Sequence, residues 1–391
     1  MPHRNTSLVE LGRNPKRDCG SVNPPVHRSS TVIFPDYATY RAYDSGKLPH
    51  RGYGRYGSPT TDGLEEALIA LEGADHAILT SSGLAAITTA LLAFLKAGDH
   101  VLFPDSLYGS ARQFVGHELV RMGVAVEYYD PAIGADIAAL MRENTRVVYC
   151  ESPGSNTFEM QDIPAIAAVA HAAGALVMAD NTWATPLLQR PFALGIDLSI
   201  HAITKYIGGH SDLVMGAVLC KAEHYPTLKR MHRNLGAVVG GDDAYLALRG
   251  LRTIAVRLKQ HEAHAVEVAQ WLETVPEVTR VLFPALPSDP GHALWLRDMQ
   301  GACGLFAIAL KDAREDALAA LVDGLKHFGL GYSWGGFESL VTVYKPASIR
   351  TVNRWDPALT FLRLHIGLED PADLIADLAA GFDRYRKAMA A

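Results

Sequence analysis

Between residues 77 and 203 the chain repeats one arrangement, a short apolar run followed by a helix-compatible segment and then another apolar run. The runs are Ala77–Thr80, Val101–Phe103, Val124–Tyr129, Val147–Cys150, Leu176–Ala179 and Leu198–Ile203. They are nearly continuous rather than alternating in polarity, so both faces of each strand must be covered. This predicts a mainly parallel sheet with helices on both sides, an α/β fold. Helices are expected over Leu64–Leu71, capped by Asp62, over Leu84–Leu95 after the turn Ser81-Ser82-Gly83, and over Ile163–Ala173.

A chain of 391 residues is long for one core and suits two packed domains. Residues 1–50 are rich in Pro, Arg and Ser, show little periodicity and read as an arm that needs a partner to lie on. The sheet domain then spans 51–248. A long helix from Tyr245 to about Thr274, with Leu246, Leu248, Leu251, Ile254 and Leu258 at helical spacing, carries the change to a smaller α+β domain over 249–391. That domain has expected strands at Leu305–Leu310 and Phe361–Ile366 and helices at Glu315–His327 and Pro371–Lys387.

Composition excludes several classes of function. With 49% hydrophobic and 20% charged residues the chain is neither disordered nor membrane-like, and a net charge of -6 gives no basic footprint for nucleic acid. No run of eighteen apolar residues is available to span a bilayer, and residues 1–20 carry charges in place of the apolar core of a signal peptide, so the cytoplasm is the expected compartment. Cys19, Cys150, Cys220 and Cys303 are scattered without metal-ligand spacing. They are expected to be small buried hydrophobes, with no metal site.

Open parallel sheets bind ligands beyond the carboxyl ends of their strands, and three such points carry chemistry. Asp180 follows the run Val177-Met-Ala, Lys205 follows Leu198–Ile203 and Thr204, and Ser81-Ser-Gly83-Leu84 opens a helix whose first N–H groups attract a phosphate. Taken singly, the lysine could be a solvated strand end, the aspartate a helix cap and the turn a tight connection. Taken together they suit an aromatic aldehyde bearing a phosphate. The lysine condenses with the aldehyde, the carboxylate keeps the ring nitrogen protonated and the helix start takes the phosphate.

Here the sequence resembles the Cys/Met-metabolism pyridoxal-phosphate (PLP) enzymes of the aspartate-aminotransferase fold type, fold type I, closest to their bacterial cystathionine β-lyase branch. Thr204-Lys205-Tyr-Ile-Gly-Gly-His-Ser-Asp212 is similar to the family's Schiff-base signature. Tyr53-Gly-Arg55, Ser82-Gly83-Leu84, Tyr108-Gly109, Glu151-Ser-Pro153, Asp180-Asn-Thr182, Ser333-Trp-Gly-Gly-Phe-Glu-Ser339 and Arg363-Leu-His-Ile-Gly-Leu-Glu369 follow in the family's order over nearly the whole chain. The resemblance implies that Lys205 is the Schiff-base lysine and the base at the substrate α-carbon. It implies that Asp180 pairs with the pyridinium nitrogen, and that Tyr108, the second catalytic candidate, stacks on the cofactor ring. Gly83 and Leu84 would offer backbone N–H groups to the phosphate beside the Thr204 hydroxyl. Tyr53 and Arg55 would reach the phosphate of a neighbouring subunit, which implies a homo-oligomer, usually a tetramer built from dimers that share active sites. Arg363 would grip the substrate α-carboxylate with its planar fork, flanked by Ser333 and Trp334.

Members of the family differ in whether they act at the β- or the γ-carbon. Ser333-Trp334, Ala202 and Ser110 resemble the β-lyases, whereas Ser155 falls near a position where γ-type members carry asparagine, and Leu84 replaces a frequent methionine. The resemblance therefore implies β-elimination of cystathionine to homocysteine, pyruvate and ammonia, a carbon–sulfur lyase step of methionine biosynthesis. The alternatives are a γ-synthase or γ-lyase of the same family and, remotely, a non-catalytic PLP-binding protein.

Overall fold

Local sequence sets the helix that leads into the sheet. Ser58 caps it by accepting from the Thr61 N–H, Thr61 answers on the Ser58 backbone, and Pro59 fills the first helical position, so the helix runs Pro59–Glu72 and ends at Gly73 in the left-handed region. It begins one turn before the expected start because this cap outcompetes Asp62, which lies inside the first turn instead. The computed structural model describes residues 3–45, 52–352 and 354–391. The end of the expected arm, residues 46–50, and Arg51 of the glycine-rich stretch lie outside the described residues.

Among the described residues twelve strands form two sheets. The first contains β1 (His76–Thr80), β2 (His100–Pro104), β3 (Ala125–Tyr129), β4 (Thr145–Glu151), β5 (Leu176–Asp180), β6 (Leu198–Ala202) and β7 (Gly216–Cys220), in the order β1-β7-β6-β5-β4-β2-β3. Neighbours from β6 through β3 run parallel, whereas β7 runs antiparallel to both β6 and β1. The second contains β8 (Val278–Leu282), β9 (Leu305–Lys311), β10 (Phe328–Leu330), β11 (Ser339–Tyr344) and β12 (Leu359–His365), in the order β10-β11-β12-β9-β8. The fold is α/β, a mainly parallel sheet with a smaller second sheet.

Both faces of the first sheet are covered, as its continuous apolar runs require. Val101, Phe103, Val147 and Tyr149 pack with Ile87 and Leu91 on one side, while Leu102, Val148 and Cys150 pack with Ile166 and Ala170 on the other. A third cluster runs from Leu79 and Leu219 through Leu251 and Ile254 to Phe306 and Leu362, so one apolar interior continues from sheet to sheet. The helix Gly241–Leu272 carries that continuity, touching Pro59–Glu72, β8, β9 and the final helix Pro371–Ala390. It starts earlier than its leucine pattern indicates because Asp242 and Asp243 complement the positive end of the helix.

Three expectations are corrected. The helix expected over Glu315–His327 stops at Val322, because Gly324 follows and the N–H groups of Lys326 and His327 both turn to Asp377 Oδ2 at 2.8 Å. The arm contains the helices Arg4–Glu10 and Tyr37–Asp44 where no periodicity was read, and Leu8 is buried while Arg252 binds its carbonyl. Cys150, Cys220 and Cys303 are buried, but Cys19 is exposed.

Candidate active site

The carboxyl ends of β4, β5 and β6 bring the chemistry together. Lys205 sits in the turn that leaves β6, where the Lys205 N–H bonds to the Ala202 carbonyl at 3.1 Å and the Gly209 N–H to the Lys205 carbonyl at 2.8 Å. Its Nζ donates to Ser333 Oγ at 2.6 Å and lies 5.3 Å from the centre of the Trp334 ring. Burial, reinforced by the Arg363 charge, lowers the Lys205 pKa from 10.5 to about 8, with Asp180 opposing the shift. The amine is thereby moved toward its nucleophilic, neutral form.

Asp180 closes β5, and its Oδ1 accepts from the Thr182 N–H at 2.9 Å. Burial raises its pKa above the ordinary carboxylate value, while the Thr182 hydrogen bonds and the charges of His201 and Lys205 pull the other way. Directly across the register stands Glu151, at the end of β4. Burial and the nearby Asp180 carboxylate push Glu151 well above its usual range. Glu151 Oε2 accepts from the Tyr108 N–H at 2.8 Å and so holds the loop carrying that ring, and Tyr108 is 41% exposed.

At the start of the helix Gly83–Phe94, Ser82 Oγ accepts from the Ala85 N–H at 3.0 Å and the Ser82 carbonyl takes the Ala86 N–H. Among the described residues this leaves the N–H groups of Gly83 and Leu84 for a ligand. The helix reaches this point because two small residues, Ala202 on β6 and its register partner Gly216 on β7, lie beneath it. A Cβ on Gly83 would meet Ala202 Cβ at 2.5 Å, and one on Gly216 would strike the Ser82 carbonyl. The Thr204 hydroxyl is engaged with Met215, donating to its carbonyl at 3.1 Å and accepting from its N–H at 3.0 Å.

Arg363, on β12, donates to Asn156 Oδ1 and to the Ser333 carbonyl, each at 3.3 Å, and burial lowers its pKa. Lys205, Ser333, Trp334 and Arg363 are thus brought together, with Asp180 and Tyr108 within electrostatic reach of Lys205 and Arg363 respectively. Tyr53 and Arg55 are not brought to Lys205 of the same chain. Arg55 donates to the Arg233 carbonyl at 2.9 Å beside a cavity of about 840 Å³ that Lys229 and His232 also line.

Sequence reasoning missed Asn156, which takes a left-handed φ of +65° and is held through its carbonyl by the Tyr344 hydroxyl. The signal was present, because Asn is among the non-glycine residues most at ease in that region and it stands next to Ser155, near the position where the family resemblance puts an asparagine in γ-type members.

The description Cys/Met metabolism PLP-dependent enzyme matches residues 5–383. Cystathionine beta-lyase MetC of Escherichia coli (strain K12) is 42% identical over 97% of this chain and 98% of its own length. The L-alanine/L-glutamate racemase of Wolbachia pipientis wMel is 43% identical over 96% of each chain. The crystal structure of cystathionine gamma synthase from Xanthomonas oryzae pv. oryzae in complex with aminoacrylate and cysteine superposes with a TM-score of 0.89, at 35% identity over 99% of this chain and 100% of that one. With end-to-end matches of this kind and a lysine, a carboxylate and a helix start converging at the strand ends, the chain belongs to the Cys/Met metabolism PLP-dependent enzymes.

Proposed function

We propose that this chain is a carbon–sulfur lyase that eliminates at the β-carbon of cystathionine, releasing homocysteine, pyruvate and ammonia with the uptake of one water. The reading is carried by the placement of the Lys205 amine on the Ser333 hydroxyl, 5.3 Å from the centre of the Trp334 ring. The whole-length identity to the Escherichia coli β-lyase supports the same choice.

Three features support the fit of pyridoxal phosphate: an amine moved toward neutrality, a carboxylate at a strand end, and helix N–H groups lowered onto Ala202 and Gly216. When bound, this cofactor condenses with amines and draws electrons away from the substrate α-carbon. Asp180 would face the ring nitrogen and keep its proton in place, with Tyr108 against the ring. The Gly83 and Leu84 N–H groups would hold the phosphate, and Thr204 would brace the same corner through its grip on Met215. Arg363, already presented by Asn156 and the Ser333 carbonyl, would take the substrate α-carboxylate and so point the Cα hydrogen at Lys205. Lys205 Nζ would remove that proton, oriented by Ser333 Oγ, while Trp334 excludes water from the amine. The bond from Cβ to sulfur then breaks, and its electron pair leaves on the homocysteine thiolate.

Tyr53 and Arg55 serve a neighbouring subunit's site in this proposal, and the assembly is a homotetramer built from dimers. The cavity beside Arg55 and the exposed apolar residues Ile33, Tyr37 and Tyr53 support a partner at this face. The division of the chain at 248/249 and a cytoplasmic location belong to the same proposal, the latter supported by four unpaired cysteines. The test is product identification with purified protein and cystathionine. Pyruvate is expected, and 2-oxobutyrate in its place rejects elimination at the β-carbon.

A further inference from the structure

Two residues beyond Arg363 on β12, and hence on the same face of the strand, stands His365, fully buried. Both of its ring nitrogens are used by one loop. The Gly335 N–H donates to His365 Nε2 at 3.0 Å, and His365 Nδ1 lies 3.0 Å from the Glu338 carbonyl. A carbonyl only accepts and an amide N–H only donates, so the proton must be on Nδ1 and the lone pair on Nε2. The ring is therefore neutral and in one tautomer, a strut between two points of the backbone turn that begins at Ser333. That turn requires such support, because Ser333 itself is held at a φ of +79°.

The surroundings as a whole disfavour a second proton on the ring. Burial first, then His261 and, more weakly, Arg363 and Lys205, lower the His365 pKa to about 3, with the Glu338 carbonyl pulling the other way. Tyr206 and His261 pack beside it with ring centres at 5.8 and 5.4 Å. The chain of contacts then runs outward, from His365 to the Gly335 N–H, along the turn to Ser333, and from Ser333 Oγ to Lys205 Nζ.

We propose that His365 is a positioning residue, whose neutral Nδ1–H tautomer fixes the Ser333–Glu338 turn and through it holds the Ser333 hydroxyl on the Lys205 amine. The inference rests on Lys205 being the cofactor-bearing lysine. It assigns the histidine no contact with substrate or cofactor.

The test uses the PLP-loaded full chain and reads the pH midpoint of the bound cofactor's absorbance change in the absence of substrate. His365→Phe keeps a ring and removes both hydrogen bonds. It is expected to bind PLP at full stoichiometry yet shift the midpoint by about half to one pH unit, the effect of one hydrogen bond to the titrating Lys205 nitrogen. Ser333→Ala should shift it in the same direction, and the double variant should shift it no further than Ser333→Ala alone. His365→Gln, which retains an acceptor within reach of the Gly335 N–H, should restore the wild-type midpoint. A wild-type midpoint in His365→Phe, or full additivity in the double variant, overturns the proposal. Should His365→Phe fail to fold, His365→Asn, which keeps a donor near Nδ1 but no acceptor for Gly335, is compared with His365→Gln. A shift in Asn alone supports the strut, and equal midpoints reject it. Because no substrate is present, a failure to form pyruvate from cystathionine would retract the reaction proposed above without touching this result.

Discussion

Asp105 grips Thr351 across the two sheets: its carboxylate accepts from the Thr351 N–H at 3.1 and 2.9 Å, from the Thr351 hydroxyl at 2.9 Å and from the Val352 N–H at 2.8 Å. Arg112 adds a further contact at 3.0 Å. Asp105 is 1% exposed and lies three residues before Tyr108, so it ties the loop carrying that ring to the second half of the chain. Removing the carboxylate strands two backbone donors and takes the ionic partner from the half-buried Arg112 guanidinium. Asp105→Ala is expected to lower the unfolding free energy by about 3 kcal/mol, read from the midpoint of urea denaturation at unchanged slope.

Lys205 has a definite pH signature in protein stripped of cofactor. Its folded pKa of about 8 lies below the ordinary lysine value of 10.5, so between these values the unfolded chain binds more protons and stability rises with pH. The penalty is complete below pH 8 and disappears above about 10.5. Lys205→Met should therefore melt at a higher temperature than wild type at pH 7, with the gap closing as pH climbs through that window. A gap that is constant with pH would remove Lys205 as its cause.

For Arg363 the expectation concerns shape rather than charge. Lysine at this position keeps the cation but loses the planar fork that both Asn156 and a carboxylate can share. Arg363→Lys should raise KM for cystathionine at least about tenfold while the PLP content stays full. An unchanged KM would move the carboxylate site elsewhere.

If sites are shared between subunits, two inactive variants should rescue one another. Arg55→Ala and Lys205→Ala place their lesions in the same site of a mixed dimer and leave the second site whole. Refolding them together in equal amounts should return about a quarter of wild-type activity, because half of the dimers are mixed and each has one intact site. Refolded mixtures with no activity would place Arg55 in its own chain's chemistry.

The parallel strands were legible because covering both faces of a strand leaves an unmistakable mark, seen in Val147–Cys150 and Leu198–Ile203. β7 carries the same buried apolar run, Gly216-Ala-Val-Leu-Cys220, but it begins with glycine and runs against its neighbours, so no crossover helix precedes it and the strand–helix rhythm that marks the others is missing. β11 was hidden for a similar reason, its exposed Val343 blurring the alternation. At the site, Lys205, Ser333, Trp334 and Arg363 were named from their motifs and the fold brings them together. Asn156 left only the signal of its residue type beside Ser155, and the double duty of His365 left none, because it depends on a tautomer that tertiary neighbours impose and that a one-dimensional pattern does not carry.

The shallow seat formed by Ala202 and Gly216 under Gly83 has a further consequence for how such chains diversify. Gly83 lies against Ala202 and Gly216 against the Ser82 carbonyl at the same helix start, so none of these three positions is at liberty to gain bulk while that helix start stays where it is. Lineages that enlarge one member must lift the helix or bend β7 away. Bulk added at 83, 202 or 216 should consequently displace the same helix start, and an engineer who alters any of them must re-seat it.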